Sequence, residues 1–202
     1  MLVIGLTGSI GMGKSGAANW LRSKGIGVFD ADARVHALYA GAAVPLIEAA
    51  FPGTTAGGVV DRARLSAALG VSDVAFKRLE AIIHPLVRAD EAAFLMAEAA
   101  KGAAFAVLEI PLLYETGADK LVDVVIVVST DAETQRARVM ARPGMTAAKF
   151  ETILGRQMSD REKRERADFV VDTSGPTTDT QRQIDQILQA LAGRVGTAIP
   201  RV

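Results

Sequence analysis

The sequence predicts an α/β fold: a doubly wound parallel five-stranded sheet with helices on both faces, a helical insertion and a small lid. Three observations carry this. The apolar run Leu2 to Leu6 opens into a glycine-rich turn and then a helical segment, Ala17 to Ser23, which is how a strand buried on both faces reads. Four more apolar runs, Ile26 to Phe29, Ala106 to Leu113, Val122 to Val128 and Phe169 to Val171, alternate with alanine- and leucine-rich stretches of helical composition. Their spacing is uneven, because residues 31–105 far exceed what one crossover needs.

Taken in order, the first strand leads into the turn and first helix, and the second strand ends at Asp30-Ala31-Asp32. The long stretch 31–105 carries helical spacing at Phe76, Leu79, Ile82 and Ile83 and helix starts at Asp61 and at Ser72 or Asp73, so it reads as a helical insertion, with His84 and Pro85 closing its amphipathic helix. After the third and fourth strands, Thr130 with Glu133 spells a capping box, opening a helix that sets Arg138 and Arg142 four residues apart on one face. Pro143-Gly144 breaks the chain into a second insertion, 142–167, where Ser159 and Glu162 cap a short charged helix. The last segment repeats apolar residues at Ile184, Ile187, Leu188 and Leu191, one buried stripe. The expected organisation is one domain, 1–202, with a core of 1–30, 106–141 and 168–202, the insertion 31–105 and a lid over 142–167.

Composition narrows the chemistry. Lysine plus arginine equals aspartate plus glutamate at 23 each, net charge zero, so no whole-molecule field draws the chain to nucleic acid or anionic membrane. With no cysteine and only two histidines, His36 and His84, disulfides, thiolate zinc sites and histidine clusters are excluded, and any metal must take oxygen ligands. The amino terminus shows no basic leader or cleavage site, and no apolar run reaches the length of a membrane span. The expectation is a soluble cytoplasmic protein.

The turn after the first strand reads Gly8-Ser9-Ile10-Gly11-Met12-Gly13-Lys14-Ser15, which fits glycine, four residues, then glycine, lysine and serine or threonine, the P-loop pattern. Each fixed position has a chemical reason. A loop wrapping a triphosphate must aim main-chain N–H groups inward, which favours glycine at Gly8, Gly11 and Gly13. Lys14 brings a positive charge to the β and γ phosphates, the Ser15 hydroxyl is placed to ligate Mg2+, and the helix beginning through Ser15 and Gly16 adds its positive end. Chance could supply such a pattern among 19 glycines, but not its place between a strand and a helix. The expected co-substrate is ATP, with Gly8, Gly11, Met12, Gly13, Lys14, Ser15 and Gly16 around it.

Asp172-Thr-Ser-Gly175 imitates a GTPase switch motif, yet no guanine-reading Asn-Lys-x-Asp occurs, which leaves a kinase as the better reading. A kinase acting on a hydroxyl needs a carboxylate near the acceptor. The carboxyl ends of parallel strands share the edge where the loop lies, so Asp32 is the candidate base and Asp30 a partner for a magnesium-bound water. Aspartate also caps helices, and spacing alone leaves both roles open. Glu109, inside the third apolar run, is a further candidate for holding a magnesium-bound water. Arg138 and Arg142 read as lid cations, whereas Arg161, Arg164 and Arg166 interleave with Asp160, Glu162 and Glu165 and read as a solvated face. His36 reads as helix surface, and Trp20 and Tyr39 as packing residues.

Together these segments resemble the dephospho-CoA kinase family nearly end to end. The resemblance is carried by Gly5 to Ser15, Asp30-Ala-Asp32, His84-Pro-Leu-Val87, Ile110-Pro-Leu-Leu-Tyr-Glu115, Arg138 with Arg142, Arg156-Gln157, and Ala167-Asp168 leading to Asp172. It implies phosphorylation of the ribose 3′-hydroxyl of dephospho-CoA, with Asp32 as base, the 31–105 insertion as acceptor-binding region, and His84, Pro111, Leu112 and Glu115 near the acceptor. The loop after Asp172 would lie near the adenine. The chain departs from the family pattern at Ser9, Met12, Gly16 and Thr173. Rival readings are a P-loop kinase for a nucleoside monophosphate or shikimate, and a nucleotide-dependent regulator that turns over no acceptor.

Overall fold

In the computed structural model, which describes residues 1–198, chain order is β1 (Leu2–Thr7), α1 (Lys14–Ser23), β2 (Gly27–Asp30), α2 (Ala31–Leu38), α3 (Val44–Ala50), β3 (Thr55–Ala56), β4 (Val59–Val60) and α4 (Arg62–Leu69). There follow α5 (Asp73–Ala100), β5 (Phe105–Glu109), a 3₁₀ turn at Ala118–Leu121, β6 (Val124–Ser129), α6 (Ala132–Met140), α7 (Ala147–Leu154), α8 (Asp160–Arg166), β7 (Phe169–Asp172) and α9 (Thr177–Leu191). The last four residues of the expected core segment 168–202 lie outside the described residues.

The main sheet runs in the order β2-β5-β1-β6-β7, with parallel registers that set Ile4 beside Val107 and Val124, and Ile126 beside Phe169. Side chains along a strand alternate between faces, and both faces of this sheet are covered. Ile4, Leu6, Val107, Ile126, Val128 and Val171 pack with Leu21 of α1 and with Ile184, Ile187 and Leu191 of α9. Val125 and Val127 face the other way, towards Leu113, Tyr114 and Ala118. That two-sided burial is why the strands read as continuous apolar runs.

The chain divides into two compact units, Met1–Phe29 with Leu95–Val202, and Asp30–Phe94. The second has its own core of Leu38, Ile47, Phe51, Val60, Leu65, Leu69 and Ile83, joined by Phe76, Leu79 and Ile82 from α5. Its helix starts are the expected ones. Asp61 accepts amide bonds from Ala63 and Arg64, and the Ser72 hydroxyl accepts one from Ala75.

Four local expectations are corrected. Pro111, having no amide donor, stops the third strand early: β5 ends at Glu109, and Leu113 is buried in the turn beyond it. The helix holding His84 does not close there but runs through Pro85 to Ala100. The cap of α6 is Asp131, whose carboxylate accepts the Thr134 amide at 2.8 Å, not Thr130. That helix ends at Met140, so Arg142 lies past its cap and shares no helix face with Arg138.

Candidate active site

The phosphate loop leaves the carboxyl end of β1 and turns into α1 without a side-chain cap, Gly13 occupying the cap position at φ 87°. Gly11, at φ 81°, also lies where only glycine is at ease. Close approach fixes the rest. A Cβ on Gly8 would stand 2.7 Å from the Val128 carbonyl oxygen, one on Gly11 2.5 Å from the Val139 side chain, and one on Gly13 2.9 Å from the Thr173 hydroxyl. β6, α6 and the residue after β7 thus press on the loop from outside, whereas Gly16 has open space around it. The Met12 side chain is buried in the core, where its sulfur accepts the Thr130 amide at 3.2 Å. Ser15 is exposed on the first turn of α1.

Lys14, half-buried, and Glu109, buried, are brought together as a pair. The Lys14 ammonium lies 2.8 Å from one Glu109 oxygen, and Arg22 lies 3.3 Å from the other. A carboxylate only 4% exposed is tolerable with two cations on it. Arg22 escaped the sequence reading because nothing in the loop pattern specifies the face of α1 it occupies.

Arg138 points inward. It donates to the Thr173 hydroxyl at 3.1 Å and to the Thr173 carbonyl at 2.6 Å, while that hydroxyl donates to the Met12 carbonyl at 2.9 Å. Thr173, one of the four departures from the family pattern, is therefore a buried brace between the loop and α6. Two glutamines hold the loop tip: Ile10 donates its amide to Gln157 at 3.1 Å and accepts from Gln135 at 2.8 Å. Neither stands out as a brace in the sequence, although Gln157 belongs to the Arg156-Gln157 pair of the family resemblance. Asp172 has its carboxyl held below the usual range by bonds from Ser174. It lines an open cleft of about 410 Å³ at the ends of β6 and β7, together with Ser129, Asp131, Asp160 and Arg164.

Residues 142–167 are not uniformly solvated. Arg161 pairs with Glu165 on the surface, as expected, and the exposed Arg164 pairs with the half-buried Asp160 at the cleft, but Lys163 is fully buried. Its ammonium reaches Glu115 at 2.9 Å and the Pro111 carbonyl at 3.0 Å. Nothing in the charged run Asp160 to Arg166 marks it out. On the turn after β5 the Tyr114 hydroxyl is pushed up to about 12, by burial first and by Asp168 and Asp119 next. Leu112 is 38% exposed on the same turn.

In the other unit Asp30 caps α2, accepting the Ala33 amide at 2.9 Å, and Asp32 is exposed in the first turn of that helix. Asp30 thus takes the capping role that spacing had left open. His36 is on the helix surface, 2.6 Å from Arg62, and His84 is exposed along α5. Among the described residues no group of three or more histidines or carboxylates could hold a metal ion, and no helix is long and apolar enough to cross a membrane.

The architecture is shared with solved structures. A crystal structure from Thermus thermophilus matches 95% of this chain and 98% of its own at 35% identity and a TM-score of 0.82. A dephospho-CoA kinase from Campylobacter jejuni matches 94% and 96% at 27% identity and a TM-score of 0.70. The dephospho-CoA kinase of Brucella melitensis is 54% identical over 198 residues, covering 98% of this chain and 99% of that protein. The dephospho-CoA kinase family profile covers residues 2–179, from the first strand into the last helix, and on that match and those identities the chain belongs to the dephospho-CoA kinase family.

Proposed function

We propose that this protein transfers the γ-phosphoryl group of ATP to the ribose 3′-hydroxyl of dephospho-CoA, giving coenzyme A and ADP, the final step of coenzyme A synthesis. The observation that carries it is the glycine-shaped loop around Lys14 in a chain of this family. Loop amides and the Lys14 ammonium hold the β and γ phosphates, and the positive end of α1 adds to their field. Mg2+, when bound, neutralises phosphate charge. The exposed Ser15 hydroxyl suits it as ligand, with Glu109 or Asp30 reaching it through water.

The acceptor oxygen forms a bond to the γ phosphorus as the bond to the bridging oxygen of ADP breaks, and Asp32 takes the hydroxyl proton. Positioning and charge neutralisation supply most of the acceleration. The helical insertion binds the acceptor, His84, Pro111 and Leu112 contact it, and Arg138 and Arg142 serve as cations for the transferring group. Such a reaction belongs in the cytoplasm and needs no nucleic acid or membrane.

Mass spectrometry after mixing with magnesium ATP and dephospho-CoA should show one added phosphate on dephospho-CoA, and none on shikimate or nucleoside monophosphates. The Asp32→Ala variant should lose about 10²–10⁴-fold in kcat with ATP affinity unchanged, whereas Lys14→Ala should weaken both. Wild-type turnover in Asp32→Ala would remove it as the base.

A further inference from the structure

We propose that Lys163 is a positioning residue for the phosphate loop, its buried ammonium holding Glu115 and the Pro111 carbonyl in a circuit of contacts that braces the loop at both flanks. The circuit starts just ahead of the loop at Thr7, the last residue of β1, whose hydroxyl donates to the Pro111 carbonyl at 3.1 Å. Lys163 donates to that same carbonyl at 3.0 Å and pairs with Glu115 at 2.9 Å. Glu115 accepts the Met158 amide at 2.7 Å, and the neighbouring Gln157 returns to the loop tip by accepting the Ile10 amide at 3.1 Å. Thr7 and Ile10 bracket Gly8 and Ser9, so the chain entering the phosphate cradle is pinned on both sides by groups that meet at one ammonium.

Burying that ammonium needs a reason. Lys163 is 0% exposed, on a seven-residue helix of otherwise charged side chains. A buried ion pair is a poor source of stability compared with apolar residues of similar size, and what it can supply is a single geometry. Here the geometry is the distance from the Pro111 turn to Gln157, which sets where Ile10 can sit. Glu115 then contributes through Lys163 and Met158 and not by touching the acceptor. The inference rests on the proposed use of ATP, but its main readout is ATP binding without acceptor.

The test compares ATP dissociation constants, KM for each substrate and thermal midpoints in Lys163→Met, Lys163→Arg, Glu115→Gln and the apolar double variant Glu115→Leu/Lys163→Met. Lys163→Met and Glu115→Gln should each weaken ATP binding about tenfold, with a smaller rise in KM for dephospho-CoA because the Pro111 turn is loosened as well. Lys163→Arg, which can still reach a carboxylate and a carbonyl, should restore most of the affinity; a role in filling space would be rescued by methionine instead. If Lys163→Met does not fold, the double variant, free of an unpaired buried charge, should keep a near-normal midpoint and still bind ATP weakly. Normal ATP affinity in a folded variant would overturn the proposal, as would Glu115→Gln raising KM for dephospho-CoA alone. Failure of the wild-type protein to phosphorylate dephospho-CoA would instead sink the reaction, leaving the ATP comparison intact.

Discussion

Glu91 is buried, 8% exposed, and burial pushes its carboxyl above the ordinary 4.5 although Arg88 pulls the other way. Below the ordinary value both folded and unfolded chains hold the proton. As pH rises through the folded value the unfolded chain releases it more readily, and folding loses free energy. Glu91→Gln should therefore raise the thermal midpoint at neutral pH, with the gain shrinking towards about pH 4; an equal gain at both would show that charge is not the cause. Single residues differ in how far sequence reveals them. Gly8, Gly13, Lys14 and Ser15 stand at spacings their chemistry demands, so they were legible. Lys163 was not, because a lysine among charges reads as solvated whether or not one face of its helix is covered. Asp32 was a candidate base from its place at the shared edge of the strands, but carboxylate spacing serves capping as well as catalysis, and it is the family resemblance that favours the base.

Among the elements, α8 shows local chemistry written clearly in the chain. Ser159 and Glu162 form the full reciprocal capping box, the Ser159 hydroxyl accepting the Glu162 amide at 3.2 Å and the Glu162 carboxylate accepting the Ser159 amide at 3.2 Å. Ser159→Ala should cost about 1 kcal/mol of stability by denaturant titration. Because α8 carries Lys163, ATP affinity should fall with it, more than in a capping variant of α4 such as Asp61→Ala, whose carboxylate caps a helix of the other compact unit. At α6 the same kind of reading slipped by one residue. Thr130 and Asp131 are both competent caps, and the Thr130 amide is engaged by the Met12 sulfur, a long-range contact that local pattern does not encode. Pro85 misled for a related reason: proline disfavours a helix interior, but tertiary packing of α5 through Leu79, Ile82 and Ile83 outweighs the lost bond.

At the scale of the whole molecule, the alternation of apolar runs and helices disclosed a parallel sheet and an inserted helical unit. The order β2-β5-β1-β6-β7 was not legible, since runs of valine and isoleucine do not name their neighbours. The compact helical unit ends at Phe94, within an unbroken α5, because helical periodicity carries no mark of where packing partners change. The protein as a whole is electroneutral, but at the glycine-rich loop one carboxylate, Glu109, faces two cations, Lys14 and Arg22, so a local positive excess remains that is only partly compensated. Such a site has a resting counterion of its own. When a spent nucleotide departs, the lysine is left beside a carboxylate and not as a bare cation, so leaving is easier than a purely cationic cradle would permit. Glu109→Gln should accordingly slow ADP dissociation in stopped-flow displacement, whereas faster release would show that the carboxylate serves only to hold Lys14 in place.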